Sequence, residues 1–140
     1  QYLVERSVPV CAHLGLLPQS VHLLGGYKVQ GKSKDAAGLM LEQAIACEQA
    51  GAQMLVLEAI PSSLGKHITE SISIPTIGIG AGSDCDAQVL VWTDMAGLTA
   101  NPPKLAKAYR NLREELLSAA KEFADEVRGG EFPAESHTFH

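Results

Sequence analysis

Residues 53–61 constrain the fold of this chain more than any other stretch. Met54-Leu55-Val56-Leu57 is an uninterrupted apolar run, Glu58 ends it, and Pro61 opens a new element three residues later. A strand in a parallel sheet is covered on both faces, so it reads as such a run and lacks polar alternation. Parallel neighbours also require a crossover, usually a helix. An acid at the carboxyl end of the strand lies at the rim of a sheet or barrel, where α/β enzymes place their chemistry.

The flanking sequence repeats this pattern. Val8-Pro9-Val10-Cys11-Ala12-His13 reads as a short strand, preceded by residues 1–6, which read as the last turns of a helix that Ser7 breaks. A helix is predicted over 34–49, with Met40, Leu41, Ala44, Ile45 and Cys47 as its apolar stripe and Gly51 in the left-handed position beyond it. Pro61 opens a second helix over 62–71, and residues 74–79 form the next strand. Ser83 or Asp84 is placed to cap a short helix running through Gln88, before a strand at 89–92. The spacing of Leu105, Tyr109, Leu112, Leu116, Ala119, Phe123 and Val127 predicts a long helix over 103–127. Residues 14–31, rich in glycine, read as a long loop: either a packed surface loop or one that covers a substrate.

Strands separated by helical segments imply an α/β class with parallel pairing and right-handed crossovers. Four such units make half of a (β/α)8 TIM barrel, which takes about 250 residues. An open four-stranded parallel sheet is the alternative, and the helices lack the arrangement of a dinucleotide fold. Half a barrel is therefore the expected fold. The absence of an initiator Met before Gln1 fits a chain that lacks an amino-terminal part.

Composition narrows the function. A hydrophobic fraction of 46% with 19% charged residues is that of a globular protein. A net charge of −5 with no Lys/Arg cluster argues against nucleic-acid binding. No apolar run approaches the ~18 residues of a membrane span, and residues 1–10 have neither the basic start nor the apolar centre of a secretory signal. Cys11, Cys47 and Cys85 are widely spaced and unpaired in pattern, as expected of reduced thiols in a cytosolic protein.

Glu58 is the first candidate for chemistry. Desolvation at a strand end disfavours the charged form of a carboxylate, a condition a general base exploits; the structural alternative is a rim carboxylate bonded to backbone N–H groups. His13 also ends a strand and would share the rim, although a lone histidine there is commonly a hydrogen-bonded structural residue. Gly78-Ile79-Gly80-Ala81-Gly82 could face an anion, but it is not G-x-G-x-x-G, and its glycines serve equally where backbones pass closely. Asp84, Asp86 and Asp94 lie in loops where capping is the default. His22, His67, His137 and His140 show no informative spacing.

Together the motifs resemble the ketopantoate hydroxymethyltransferase family, in its carboxyl-terminal half. The matching residues are Val8-Pro9-Val10-Cys11-Ala12-His13-Leu14-Gly15-Leu16 and Pro18-Gln19-Ser20, then Gly25-Gly26-Tyr27-Lys28-Val29-Gln30-Gly31, the most distinctive. Leu55-Val56-Leu57-Glu58, Ile74-Pro75-Thr76-Ile77-Gly78-Ile79-Gly80-Ala81-Gly82 and Glu135-Ser136-His137-Thr138-Phe139-His140 follow in family order. The resemblance implies that residues 1–140 are the carboxyl-terminal half of a single TIM-barrel domain. It implies Mg²⁺-dependent transfer of a hydroxymethyl group from 5,10-methylenetetrahydrofolate to 3-methyl-2-oxobutanoate, giving 2-dehydropantoate in pantothenate biosynthesis. The metal would bind the keto acid and stabilise its enolate. Glu58 falls on the family's catalytic base, and His13 on a position lining the keto-acid site. A cytoplasmic homodecamer is implied as well.

The chain departs from the family at Ala12, where glycine is usual, and at Ala87, where Asp-Gly-Gln is expected. Thr93 stands for a histidine, and Leu105 for a phenylalanine. The family's metal-binding aspartates, with a neighbouring serine and a Lys and Glu, have no counterpart, so no metal ligand is expected in this chain and the isolated chain is expected to be inactive. Two other readings compete: a Mg²⁺-dependent lyase of the phosphoenolpyruvate/pyruvate kind, against which residues 25–31 argue, and a non-catalytic fragment retained for binding or assembly.

Overall fold

The computed structural model describes every residue except Leu24 and His140, so the last position of the closing motif lies outside the described residues. The chain divides into two compact units, Gln1–Leu90 and Val91–His140. In the first, four parallel strands pair in the order β1-β2-β3-β4: β1 (Cys11–Gly15), β2 (Met54–Glu58), β3 (Thr76–Ile79) and β4 (Ala87–Gln88). Every strand neighbours its successor and the order never reverses. Right-handed crossovers then all fall on one side, which is the winding of a barrel; a doubly wound sheet reverses at a switch point. The fold is thus α/β, part of a TIM-type barrel.

Helices α1 (Lys34–Gln49) and α2 (Ser62–Ser71) supply the first two crossovers. Ser33 caps α1 by accepting the Ala36 N–H at 3.2 Å, and Gly51, at φ +89°, takes the chain back toward β2. Leu55 and Leu57 on β2 are fully buried against Met40 and Ala44 of α1 and Leu64 and Ile68 of α2. Burying each such leucine stabilises the fold by about 1.5–3 kcal/mol. Leu55 and Leu57 point to the helices, so Val56 and Glu58, one residue out of phase, point to the opposite face.

Polar bonds tie the ends of these elements. The Glu48 carboxylate at the end of α1 accepts from Ser73 Oγ at 2.6 Å, Ser73 N–H at 2.7 Å and Ile74 N–H at 3.2 Å. Asp86 accepts the Thr76 N–H at 2.8 Å and its hydroxyl at 2.9 Å. Thr76 is fully buried, and its hydroxyl also lies 2.9 Å from that of Thr69.

Several expectations are corrected: the first strand is Cys11–Gly15 and not 8–13, so His13 lies in mid-strand and does not end it. No helix spans 83–88, and the fourth strand is Ala87–Gln88, ahead of the expected 89–92. Asp86 is held to the start of β3 and unavailable for a helical turn; residues 87–88 then pair with Ile77 and Gly78. Residues 92–95 form the short helix α3 (Trp92–Met95) of the second unit. The long helix α4 (Leu112–Gly129) begins at Leu112, not at 103. The Tyr109, Leu112 and Arg113 N–H groups donate to the carbonyls of Met95, Ala96 and Gly97, so the backbone over 109–113 is bonded to the end of α3. At the amino terminus, the expected helix end is a single 3-10 turn, Val4–Arg6, with Ser7 left-handed at φ 59°. No helix among the described residues is long and apolar enough to cross a membrane.

The two carboxylates predict an acid-sensitive fold. The Ser73 hydroxyl, more than its N–H, holds Glu48 below its ordinary value of 4.5, and the Thr76 N–H followed by its hydroxyl holds Asp86 below 3.8. A carboxyl whose folded value is depressed stabilises the protein above its ordinary value, and the contribution disappears as pH falls through the lowered one. Thermal unfolding midpoints should therefore drop between about pH 5 and about pH 3. Glu48→Gln and Asp86→Asn should each be less stable at neutral pH and show a shallower acid decline in circular-dichroism melts.

Candidate active site at the carboxyl ends of β1 and β2

Parallel pairing sets His13 opposite Val56 and Gly15 opposite Glu58. Side chains of paired residues share a face, so His13 and Glu58 stand on the face away from the helices, two rungs apart. They meet because Gly15, directly opposite Glu58, has no side chain and the imidazole reaches diagonally across its rung. His13 Nε2 stands 3.1 Å from Glu58 Oε2, with the two side chains 32% and 16% exposed. The approach is close but misaligned, since Nε2 is buried and satisfies no hydrogen bond. A buried ring nitrogen that satisfies no hydrogen bond, beside a carboxylate that accepts none from backbone among the described residues, leaves both groups with unmet hydrogen-bonding capacity. This differs from the structural alternative for Glu58, in which backbone N–H groups would saturate the carboxylate.

Two loops and strand β3 hold the backbone around Glu58. Leu16 N–H donates to the Glu58 carbonyl at 2.8 Å, so the loop leaving β1 is tied to the end of β2. Ala59 adopts φ 49°, left-handed without being glycine. Its N–H donates to the Ile79 carbonyl at 2.9 Å, and its carbonyl accepts the Gln30 N–H at 3.0 Å. Ile60 N–H reaches the Gly80 carbonyl at 3.2 Å. A left-handed alanine costs on the order of 1–2 kcal/mol and persists only where its surroundings determine it. Here bonds from β3 and from the glycine-rich loop do so.

The other candidates have local roles. The carbonyls of Gly78, Ile79 and Gly80 accept from Val89, Ala59 and Ile60, so the glycine run is occupied in joining strands. Asp86 bonds Thr76, Asp84 lies 3.9 Å from Lys66, and buried Asp94 accepts from the Thr99 hydroxyl. His137 Nδ1 accepts the Ala134 N–H at 3.1 Å. Neither the left-handed Ala59 nor the role of Gly15 was foreseen from sequence; only the glycine at a strand end hinted at the latter.

The Mg²⁺ implied by the resemblance does not fit the donors present. The rim offers one carboxylate and one imidazole, whereas Mg²⁺ takes six near-octahedral ligands, predominantly oxygen. Among the described residues, no group of three His, Cys, Asp or Glu side chains could hold a metal ion.

Comparison with known proteins adds independent information. The family model described as ketopantoate hydroxymethyltransferase matches residues 1–135. Curated relatives named 3-methyl-2-oxobutanoate hydroxymethyltransferase come from Idiomarina loihiensis, 56% identical over 138 residues, and Acidothermus cellulolyticus, 54% identical over 138. One from Thermobifida fusca is 53% identical over 137 residues. These alignments cover 98% of this chain and 52%, 51% and 49% of the respective relatives. The chain therefore spans about half the length of the curated relatives it matches.

The geometry at Gly15 yields a stability prediction. A methyl group there would fall against the Glu58 carbonyl oxygen, well inside van der Waals contact, and 2.9 Å from Ile60 Cγ2. The residue is also at φ +95°. Gly15→Ala should destabilise the chain by about 2–4 kcal/mol, read as a lowered urea midpoint at unchanged m-value.

Proposed function

The chain belongs to the ketopantoate hydroxymethyltransferase family, and on that premise we propose that it supplies the proton-accepting carboxylate, Glu58, of a 3-methyl-2-oxobutanoate hydroxymethyltransferase. The observation that carries this reading is the 3.1 Å approach of Glu58, at the carboxyl end of β2, to the Nε2 of His13, in the middle of the adjacent strand β1, a nitrogen that satisfies no hydrogen bond. Family membership leaves no room for the phosphoenolpyruvate/pyruvate-type lyase.

In the proposed reaction, Glu58 takes the proton from C3 of 3-methyl-2-oxobutanoate. The carbon so freed bonds to the methylene carbon of 5,10-methylenetetrahydrofolate as that carbon's bonds to the folate nitrogens break. Water supplies the hydroxyl of the new hydroxymethyl group and a proton for one folate nitrogen, the proton held by Glu58 passes to the other, tetrahydrofolate departs, and 2-dehydropantoate remains. His13, when Nε2 carries the ring proton, donates to an oxygen of the keto acid and orients it toward Glu58. We place the Mg²⁺ ligands in the part of the relatives' length that this chain does not span. The working form is proposed to be a cytoplasmic homo-oligomer, a decamer by family resemblance, with the isolated chain inactive.

Exchange of the C3 hydrogen of 3-methyl-2-oxobutanoate for deuterium, followed by NMR, tests the proton acceptor without the folate. The 140-residue chain alone should show neither exchange nor 2-dehydropantoate formation. Co-expression with the amino-terminal half of the Idiomarina loihiensis relative should restore both in the presence of Mg²⁺. In that pair, Glu58→Gln should lower exchange by about 10²–10⁴-fold. Exchange at the unmodified rate in Glu58→Gln would rule out the role given to this carboxylate.

A further inference from the structure

An open surface groove of about 330 Å³ lies between the start of α1 and the start of α2, its polar lining exposed to solvent. Lys32, Lys34 and His67 line it together with the hydroxyl-bearing Ser33 and Ser63, and Leu64 forms part of its wall. No carboxylate lines it. Asp35 follows Lys34 in the chain but is not among the lining residues. The Lys32 and Lys34 ammonium groups and the His67 ring make no ion pair or hydrogen bond among the described residues. The nearby Lys66 differs, standing 3.9 Å from both Glu70 and Asp84. The Ser33 hydroxyl is engaged in capping α1, whereas that of Ser63 has no hydrogen-bond partner among the described residues.

In a chain of net charge −5, two lysines without an ion pair among the described residues and a histidine, all lining one acid-free groove, stand against the prevailing sign of the charge. Like charges gathered without partners repel one another, and an anion held among them removes that repulsion. Ammonium groups on flexible stems suit an oxyanion whose charge is spread over several oxygens. We infer that this groove binds a compact, multiply charged anionic group, either a phosphate or clustered carboxylates, held by Lys32, Lys34, His67 and the Ser63 hydroxyl. The site stands apart from the His13–Glu58 pair and does not rest on the reaction proposed for it. It shares Pro61 with the turn after Glu58, so its ligand sits beside that turn.

Titration of the full chain with inorganic phosphate and, separately, with citrate tests the inference through amide ¹⁵N–¹H shifts. At least one of the two should saturate at one equivalent, with shifts concentrated at residues 32–35 and 62–67. The tighter of the two identifies the source of the charge. The double variant Lys32→Ala/Lys34→Ala should bind at least tenfold more weakly, as should the gentler Lys34→Gln to a lesser degree. Lys66→Ala, which removes the same charge from outside the groove, should bind as the parent chain does. Shifts that rise without saturating for both anions, or equal weakening in Lys66→Ala, would mean that the anions only screen the surface and would overturn the proposal.

Discussion

The candidate site depends on one empty rung. Gly15 sits opposite Glu58 in the β1–β2 ladder, and its lack of a side chain gives the His13 ring its diagonal path to the carboxylate. The same absence brings the backbones close enough for the Leu16 N–H to reach the Glu58 carbonyl at 2.8 Å. A side chain at 15 would oppose both. The chemistry proposed for Glu58 is thus set up by a residue with no functional group, through sterics alone.

Around that rung the division of labour follows strand parity. Leu55 and Leu57 carry the packing energy on the helix side, and Val56 and Glu58 face the other way. Because the two sets alternate along one strand, a slip of β2 by one residue would bury the carboxylate against α1 and α2 and expose both leucines. Core packing therefore enforces the register that puts Glu58 beside His13. The left-handed Ala59 follows at once, its unfavourable geometry held by bonds from Ile79 and Gln30.

Much of this architecture was legible in the sequence because local signals agreed with the global fold. Over 34–71 the apolar run of β2, the stripe of α1, Gly51 and Pro61 all favour the elements observed, and the bounds match almost to the residue. Glu58 ends its strand as the apolar run predicts, whereas His13, expected at a strand end, lies in mid-strand, and nothing local reveals that their atoms approach to 3.1 Å. The failures lie where distant partners outweigh local preference. Asp86 looked like a loop acid near a helix cap, yet it is held by Thr76, ten residues earlier. Leu105 and Tyr109 kept the helical spacing of α4, yet the Tyr109 N–H is taken by Met95 and the helix starts later. Spacing reports which residues can share a face, but not which backbone groups are already engaged.

The sequential strand order has a kinetic side. The connection from β1 to β2, residues 16–53, is roughly twice as long as that from β2 to β3, residues 59–75. Each doubling of a closed loop costs about 0.6 kcal/mol more in chain entropy, so the β2–β3 pair is the cheaper one to form first. β1 then joins an existing edge and delivers His13 to a Glu58 already in place. A partly folded chain without β1 in place would carry the carboxylate without its imidazole, so the pair reports the joining of β1 to β2.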